Sequence, residues 1–175
     1  SVSVMDGELI GQRFRLGDLV GSGGAGRVHR GLDTRTGAEV ALKILPGGGA
    51  IAERLAREAQ ILTLLDHPGI VRYVEHGPVD ADDYFLAMEW LDGEDLAKRL
   101  ARGPLSLSET IGLIVAVADA LGHAHARKVV HRDIKPANIV LQESGGGITT
   151  KLVDFGIAKS LSERRSRGTR AGEGA

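Results

Sequence analysis

Cysteine is absent from the 175 residues, which excludes a disulfide scaffold and a thiolate zinc site. A cysteine-free chain fits a reducing cytosol, so a cytoplasmic location is expected. Charge of one sign is not in excess either: 22 Lys+Arg against 23 Asp+Glu leave a net charge of -1. No general field draws the molecule to nucleic acid or anionic lipid, and any polyanion must be gripped by a local site. The longest apolar run, Ile111 to Ala118, is far short of a membrane span, and no charged-then-apolar signal opens the chain. No internal repeat is found. With 42% hydrophobic and 26% charged residues, the chain is expected to fold as one domain or two small lobes. Glycine is plentiful, at 25 residues, and concentrated in GSGGAG (21–26), PGGG (46–49) and SGGG (144–147), which mark loops.

Apolar and polar residues alternate over 14–20 and 27–32 around the first glycine run, the pattern of a hairpin. VALKIL (40–45) reads as a third strand, residues 51–65 as a helix stopped by Pro68 and Gly69, and IVRYV (70–74) and YFLAMEW (84–90) as two further strands. Beyond Gly93 the pattern turns helical, first over EDLAKRLAR, then from a capping box at Ser106 and Glu109 to about Ala126. The second helix is apolar on every side and expects protein on every side. Strands at 139–142 and 150–154 close the ordered part. Residues 159–175 carry five basic and two acidic side chains with almost no apolar residue, and read as a solvated tail.

GSGGAGRV fits G-x-G-x-x-G-x-V, in which residues without side chains let backbone N–H groups approach phosphates. A dinucleotide fold requires a helix after this motif, but a strand follows; a Walker loop requires Gly-Lys-Ser/Thr, which does not occur. By itself the run could also be a flexible hairpin tip, the less favoured reading. Lys43 lies among apolar neighbours in a strand, where an ammonium needs an anion. Glu58 shares the inward helix stripe with Leu55 and Leu62 and is one possible partner. The alternative is a Lys stem running to solvent beside an exposed Glu. HRDIKPAN (131–138) gathers a carboxylate, a lysine and an amide before a strand, and Asp154-Phe155-Gly156 ends the next strand. Amide and carboxylate oxygens suit Mg²⁺ on a nucleotide's phosphates.

In this order, GSGGAGRV, VALK, Glu58, HRDIKPAN and DFG resemble the eukaryotic-like protein kinases over residues 11 to about 160. With HPGIV and MEWLDGEDL they look most like bacterial Ser/Thr kinases of that family. The resemblance implies an α+β, protein-kinase-like fold: an N-terminal extension (1–10), an antiparallel N-lobe with one helix (11–92), a partial helical C-lobe (93–159) and a partial activation segment (160–175). It implies ATP and Mg²⁺ as cofactors and a protein with Ser/Thr acceptors as partner, with no nucleic acid and no membrane segment. Gly21, Ser22, Gly23, Gly24 and Gly26 would cover the phosphates, and Lys43 would contact them while pairing with Glu58. Val28, Ala41 and Val140 would sandwich adenine, the backbone of Glu89 and Leu91 would hydrogen-bond it beside Met88, and Asp95 would reach the ribose. Asp133 would be the catalytic base, Lys135 would steady the γ-phosphate, and Asn138 and Asp154 would hold Mg²⁺. His131 and Phe155 are expected to be packing links rather than chemical groups.

In that family an activation segment closed by Ala-Pro-Glu and several helices follow DFG. The chain is therefore expected to be truncated within the activation segment, and Ser160, Ser162, Ser166 and Thr169 are its possible phosphoacceptors, with Arg132 as the receiving cation. Two functions remain open: an ATP-dependent protein Ser/Thr kinase, or a truncated ATP-binding module that is inactive alone and acts by binding. A small-molecule kinase is disfavoured by the complete glycine loop and HRDIKPAN.

Overall fold

The computed structural model describes residues 9–23, 26–46, 50–144 and 147–155. Gly24, Gly156 and the four possible phosphoacceptors lie outside them, as does the whole of 160–175. A six-stranded antiparallel sheet runs in the order β1-β2-β3-β4-β6-β5, built from β1 (Leu9–Ile10), β2 (Phe14–Gly23), β3 (Gly26–Asp33), β4 (Glu39–Pro46), β5 (Tyr73–Pro78) and β6 (Asp83–Glu89). Helix α1 (Ala50–Leu62) connects β4 to β5. A second sheet, β7-β8-β9, consists of Gly93–Asp95, Ile139–Ser144 and Gly147–Leu152. Helices α2 (Leu96–Ala101) and α3 (Leu107–Ala126) fall between its first two strands.

Both faces of the large sheet are covered, and the two-residue period of its strands divides them. On β4, Val40, Leu42 and Ile44 join Phe14, Phe85 and Ala87 in one cluster. The intervening Ala41 and Leu45, with Tyr84, Leu86 and Met88 of β6, face α1 through Leu55, Ala59 and Leu62. Full burial of a side chain such as Leu42 stabilises by about 2–3 kcal/mol. The period that buries Leu42 turns Lys43 to the α1 side, opposite Leu86.

The two sheets are joined through the chain after α1. The sequence pattern predicts a strand over 70–74, but Ile70 and Val71 turn to β9: Ile70 bridges Leu152, and the Val71 N–H donates to the Leu152 carbonyl at 2.9 Å. Pairing with the large sheet begins at Tyr73 and is interrupted by a bulge before Glu75. Pro68 and Gly69 reverse the chain first, so the sheet edge is reached three residues later than hydrophobicity suggests. Strand β9 likewise stops at Leu152, leaving Val153 and Asp154 free of the ladder.

An ion cluster that sequence reading did not suggest locks the far end of the sheet. Arg13 donates through Nε and Nη2 to the two carboxylate oxygens of Asp33 at 2.9 and 2.6 Å, and through Nη1 to Glu75 at 2.5 Å. Asp33 is buried, and the guanidinium fork holds its carboxyl well below the usual carboxylate range.

Helix α3 starts at the expected capping box: the Glu109 N–H donates to Ser106 Oγ, and the Ser106 N–H donates to Glu109 Oε2. Its only fully buried residues are Ala120 and Ala124. Ile111, Ile114 and Val115 are 55–63% exposed, so protein covers one side of a helix whose composition asks for neighbours all round. Although no single apolar run in it is long, the 20-residue helix is long and apolar enough to cross a membrane by length and composition, with a mean hydropathy of 1.3 over its 18-residue window. Its small residues nonetheless pack into the core shared with α1 and β9.

Candidate active site

The glycine loop joins β2 to β3, with Gly21 opposite Val28, Ser22 opposite Arg27 and Gly23 opposite Gly26. Its glycines are not equivalent. A Cβ on Gly26 would lie 2.3 Å from the Ile44 carbonyl oxygen, and the residue has φ +110°, so the fold itself requires glycine there. At Gly21 a Cβ would meet nothing within 4 Å, so its bareness serves no packing among the described residues.

Register places Val28 opposite Lys43 and Ala41 opposite Met88, so the loop strand, Lys43 and the end of β6 stand in adjacent rows. Lys43 is 7% exposed, and its Nζ donates to Asp154 Oδ1 at 2.7 Å. This departs from the pairing expected with Glu58. A buried ammonium takes the carboxylate that packing brings within reach, and here that group belongs to the chain after β9. Glu58 lies at a small cavity of about 120 Å³ with Ile61, Leu62, Val129, Arg132 and Phe155.

Asp133 lies in the loop between α3 and a short 3₁₀ turn, Pro136–Asn138. Asn138 Nδ2 donates to both the Asp133 carbonyl and Asp133 Oδ2, at 2.8 and 3.0 Å, and Lys135 Nζ is 3.1 Å from the same Oδ2. The buried amide is thereby oriented, with nitrogen toward Asp133 and Oδ1 at its other end. The Val153 N–H donates to the Asn138 carbonyl at 3.0 Å, tying the loop to the residue before Asp154.

His131 braces the same loop. Its Nε2 donates to the Val153 carbonyl at 2.9 Å, and its Nδ1 accepts the Asp133 N–H at 3.3 Å, which sets the tautomer. Its ring packs on Phe155 with centroids 4.4 Å apart, and burial pushes the imidazole below its ordinary value, keeping it neutral. Arg132 and Asp154 both adopt left-handed backbone, with φ 64° and 55°. Each such residue costs about 1–2 kcal/mol. The strained positions border the Asp133 loop and carry the Asp154 carboxylate, a detail that no residue pattern announces. Tyr73, buried beside them, has its phenol pushed up by burial and by the charge of Asp154.

At the opposite wall, Val140 of β8 pairs with Asp95 on one side and Lys151 on the other. Asp95, expected to reach a ribose, is the N-cap of α2: its Oδ1 accepts the Lys98 N–H at 2.9 Å. Leu91 is partly buried against the main core, whereas the Glu89 side chain is held by Lys151 at 2.5 Å. Sequence reading missed Lys151, since nothing local links residues 62 positions apart. Among the described residues no cluster of three or more His, Cys, Asp or Glu forms a self-sufficient metal cage. An amide oxygen at Asn138 and a carboxylate at Asp154 are a sparse oxygen set. That donor chemistry fits Mg²⁺, which retains waters and substrate phosphates among its ligands.

An antiparallel lobe carrying a glycine loop and a buried lysine, set against a loop that gathers Asp133, Lys135 and Asn138, is the architecture of a kinase domain. Comparison with known families agrees: the protein kinase domain family matches residues 14–173, and the chain belongs to it. Similar proteins include the serine/threonine-protein kinase pkn2 of Myxococcus xanthus, 36% identical over 158 residues, covering 88% of this chain and 19% of that protein. PrkC of Bacillus subtilis is 37% identical over 161 residues, covering 89% of this chain and 24% of its own length. PknA of Mycobacterium tuberculosis is 36% identical over 164 residues, covering 89% and 37%. The chain thus spans between about a fifth and just over a third of these relatives. Among solved structures, Rad53 1-466 in complex with AMP-PNP superimposes with a TM-score of 0.74 at 28% identity, covering 83% of this chain and 38% of that one.

Proposed function

We propose that this chain supplies the nucleotide site and catalytic loop of an ATP-dependent protein serine/threonine kinase. The observation that carries the reading is the junction of two lysine–carboxylate pairs, Lys43 with Asp154 and Lys135 with Asp133, joined through Asn138 and Val153. A hydroxyl nucleophile and a phosphate chain need such a junction: one carboxylate to take a proton, another to hold a cation, and ammonium groups for the phosphate oxygens.

In this reading Asp133 accepts the hydrogen bond of the substrate hydroxyl and takes its proton. Asn138 and Lys135 hold the receiving carboxylate in one orientation. Lys135 lies on the exposed side, where it can steady a transferring group. Lys43 and Asp154 neutralise each other at rest and would part to hold phosphate oxygens and cation respectively. Bound at Asn138 and Asp154, Mg²⁺ would neutralise charge on the phosphates. The glycine loop would close over the nucleotide, and the backbone of residues 89–91 would read the adenine edge between Ala41, Val28 and Val140.

The names of the similar kinases and the ATP analogue in the Rad53 complex support this substrate class. Titration with ATP and Mg²⁺ by calorimetry, paired with a peptide phosphorylation assay on the full-length protein, tests it. Asp133→Asn should retain nucleotide affinity and lose phosphoryl transfer. An equal loss of both would contradict the assignment of Asp133 as base.

A further inference from the structure

Glu89 closes β6 at the point where the chain crosses between the two sheets, and its side chain is turned into the protein rather than left in water. Its Oε1 accepts two hydrogen bonds, from Lys151 Nζ at 2.5 Å and from the Arg72 N–H at 2.9 Å. The Glu89 N–H in turn donates to the Arg72 carbonyl at 2.9 Å. Lys151 and Glu89 are only 17% and 22% exposed, so water screens the pair less than an ordinary surface ion pair.

The position of Lys151 gives the contact its meaning. In β9 it stands directly opposite Val140, and its neighbour Leu152 is the residue that receives Ile70 and Val71. The Lys151–Glu89 pair therefore connects the small sheet to the end of β6 and, through the Arg72 N–H on the same carboxylate, to the 70–72 crossover. On the outer side the crossing segment has a long bond from the Trp90 N–H to the Glu39 carbonyl at 3.4 Å, the Arg30 guanidinium stacked 4.7 Å over the Trp90 ring, and a local bond from the Trp90 indole N–H to Asp92 at 2.9 Å, while Glu89 itself ends the ladder opposite Val40. The firm anchor is on the inside.

We propose that Lys151 is a positioning residue for base recognition: by clamping Glu89 it fixes the main chain of residues 89–91 at the spacing from Val140 that an adenine ring requires. The inference rests on the nucleotide reading above and goes beyond it by assigning the base-side geometry to a residue that touches no ligand. A charge-assisted bond of this kind aligns the donor and acceptor groups before the base arrives, so its loss is felt on the base and not on the phosphates.

The test is equilibrium binding of ATP, adenosine and tripolyphosphate, each with Mg²⁺, to the full chain and to Lys151→Gln, Lys151→Arg, Glu89→Gln and the Lys151→Gln/Glu89→Gln double variant. Lys151→Gln should weaken ATP and adenosine by the same factor, about tenfold, and leave tripolyphosphate unchanged. Lys151→Arg should restore most of the loss, and the double variant should be no worse than the poorer single one. Wild-type adenosine affinity in Lys151→Gln, or additive losses in the double variant, would overturn the clamp while leaving the nucleotide site standing. A uniform loss for all three ligands in Lys151→Gln would show a merely structural role and also overturn it. Failure of the unaltered chain to bind ATP at all would instead remove the reading on which the clamp rests.

Discussion

The large sheet and helix α3 treat their apolar residues in opposite ways. In the sheet, alternate residues of β4 and β6 are buried on both faces, and Phe14, Leu42 and Ala87 are fully enclosed. In α3, Leu107 is 77% and Ile114 61% exposed, and only two alanines are sealed. One face of the sheet satisfies its hydrophobicity within residues 10–87, and the other shares its core with α1 and the later chain. The helix borrows its cover from α1, β9 and the 67–69 turn, and these reach a single side. The Asp133 loop follows directly from the less covered element, so its geometry rests on His131, Asn138 and the Val153 backbone more than on a broad apolar base.

The sharpest test of this contrast lies where the halves touch. Lys43 comes from the sheet and Asp154 from the segment after β9, so replacing either should stop chemistry without unfolding the sheet. Lys43→Met and Asp154→Asn in the full-length protein should each lower phosphoryl transfer by about a thousandfold or more, read by γ-phosphate incorporation. Asp154→Asn should also weaken Mg²⁺-dependent nucleotide binding the more of the two. Wild-type turnover in either would make both residues bystanders.

Stability should divide along the same line. Leu42→Ala should cost about 3 kcal/mol in denaturant unfolding, whereas Ile114→Ser should stay within about 0.5 kcal/mol and reduce binding of an apolar dye. Equal costs would mean that α3 is covered in solution by something that the described residues do not include. Within the glycine loop, Gly26→Ala should destabilise by about 1–2 kcal/mol through its positive φ and the Ile44 carbonyl. Gly21→Ala should leave the melting midpoint unchanged and act on nucleotide affinity alone.

The smallest expected effect is the pH dependence. Burial lowers the pKa of His131, and of His76 at the sheet edge, below the ordinary 6.5. The neutral rings of the fold are favoured over those of the unfolded chain, which take up protons first. Their contribution is complete above about pH 6.5 and is lost as the pH falls toward the folded values. Melting midpoints between pH 7.5 and 5 should therefore decline, and His131→Gln should flatten the slope.

Much of the site was legible from short stretches of chain. The single lysine among the apolar residues of VALKIL marked Lys43 as a group in need of an anion, Ser106 and Glu109 marked the start of α3, and the density of HRDIKPAN singled out a loop. Strand 70–74 was misplaced at its start because Ile70 and Val71 serve β9 while Tyr73 and Val74 join the large sheet, and a hydrophobic pattern does not name its partner. Asp95, a candidate for the ribose, also serves as an N-cap, a role open to any aspartate just before a helix: its Oδ1 accepts the N–H of Lys98.

Sequence alone determined which residue types could hold phosphate, cation and proton, because those capacities belong to the side chains and to their spacing along a strand or turn. Only the tertiary structure decided which groups meet. Lys43 found Asp154, 111 positions away, rather than Glu58; Glu89 found Lys151; and Arg132 and Asp154 were held in left-handed backbone. These outcomes depend on how two sheets and a helix pack, and a buried charge takes the nearest partner that packing allows, whatever the distance along the chain.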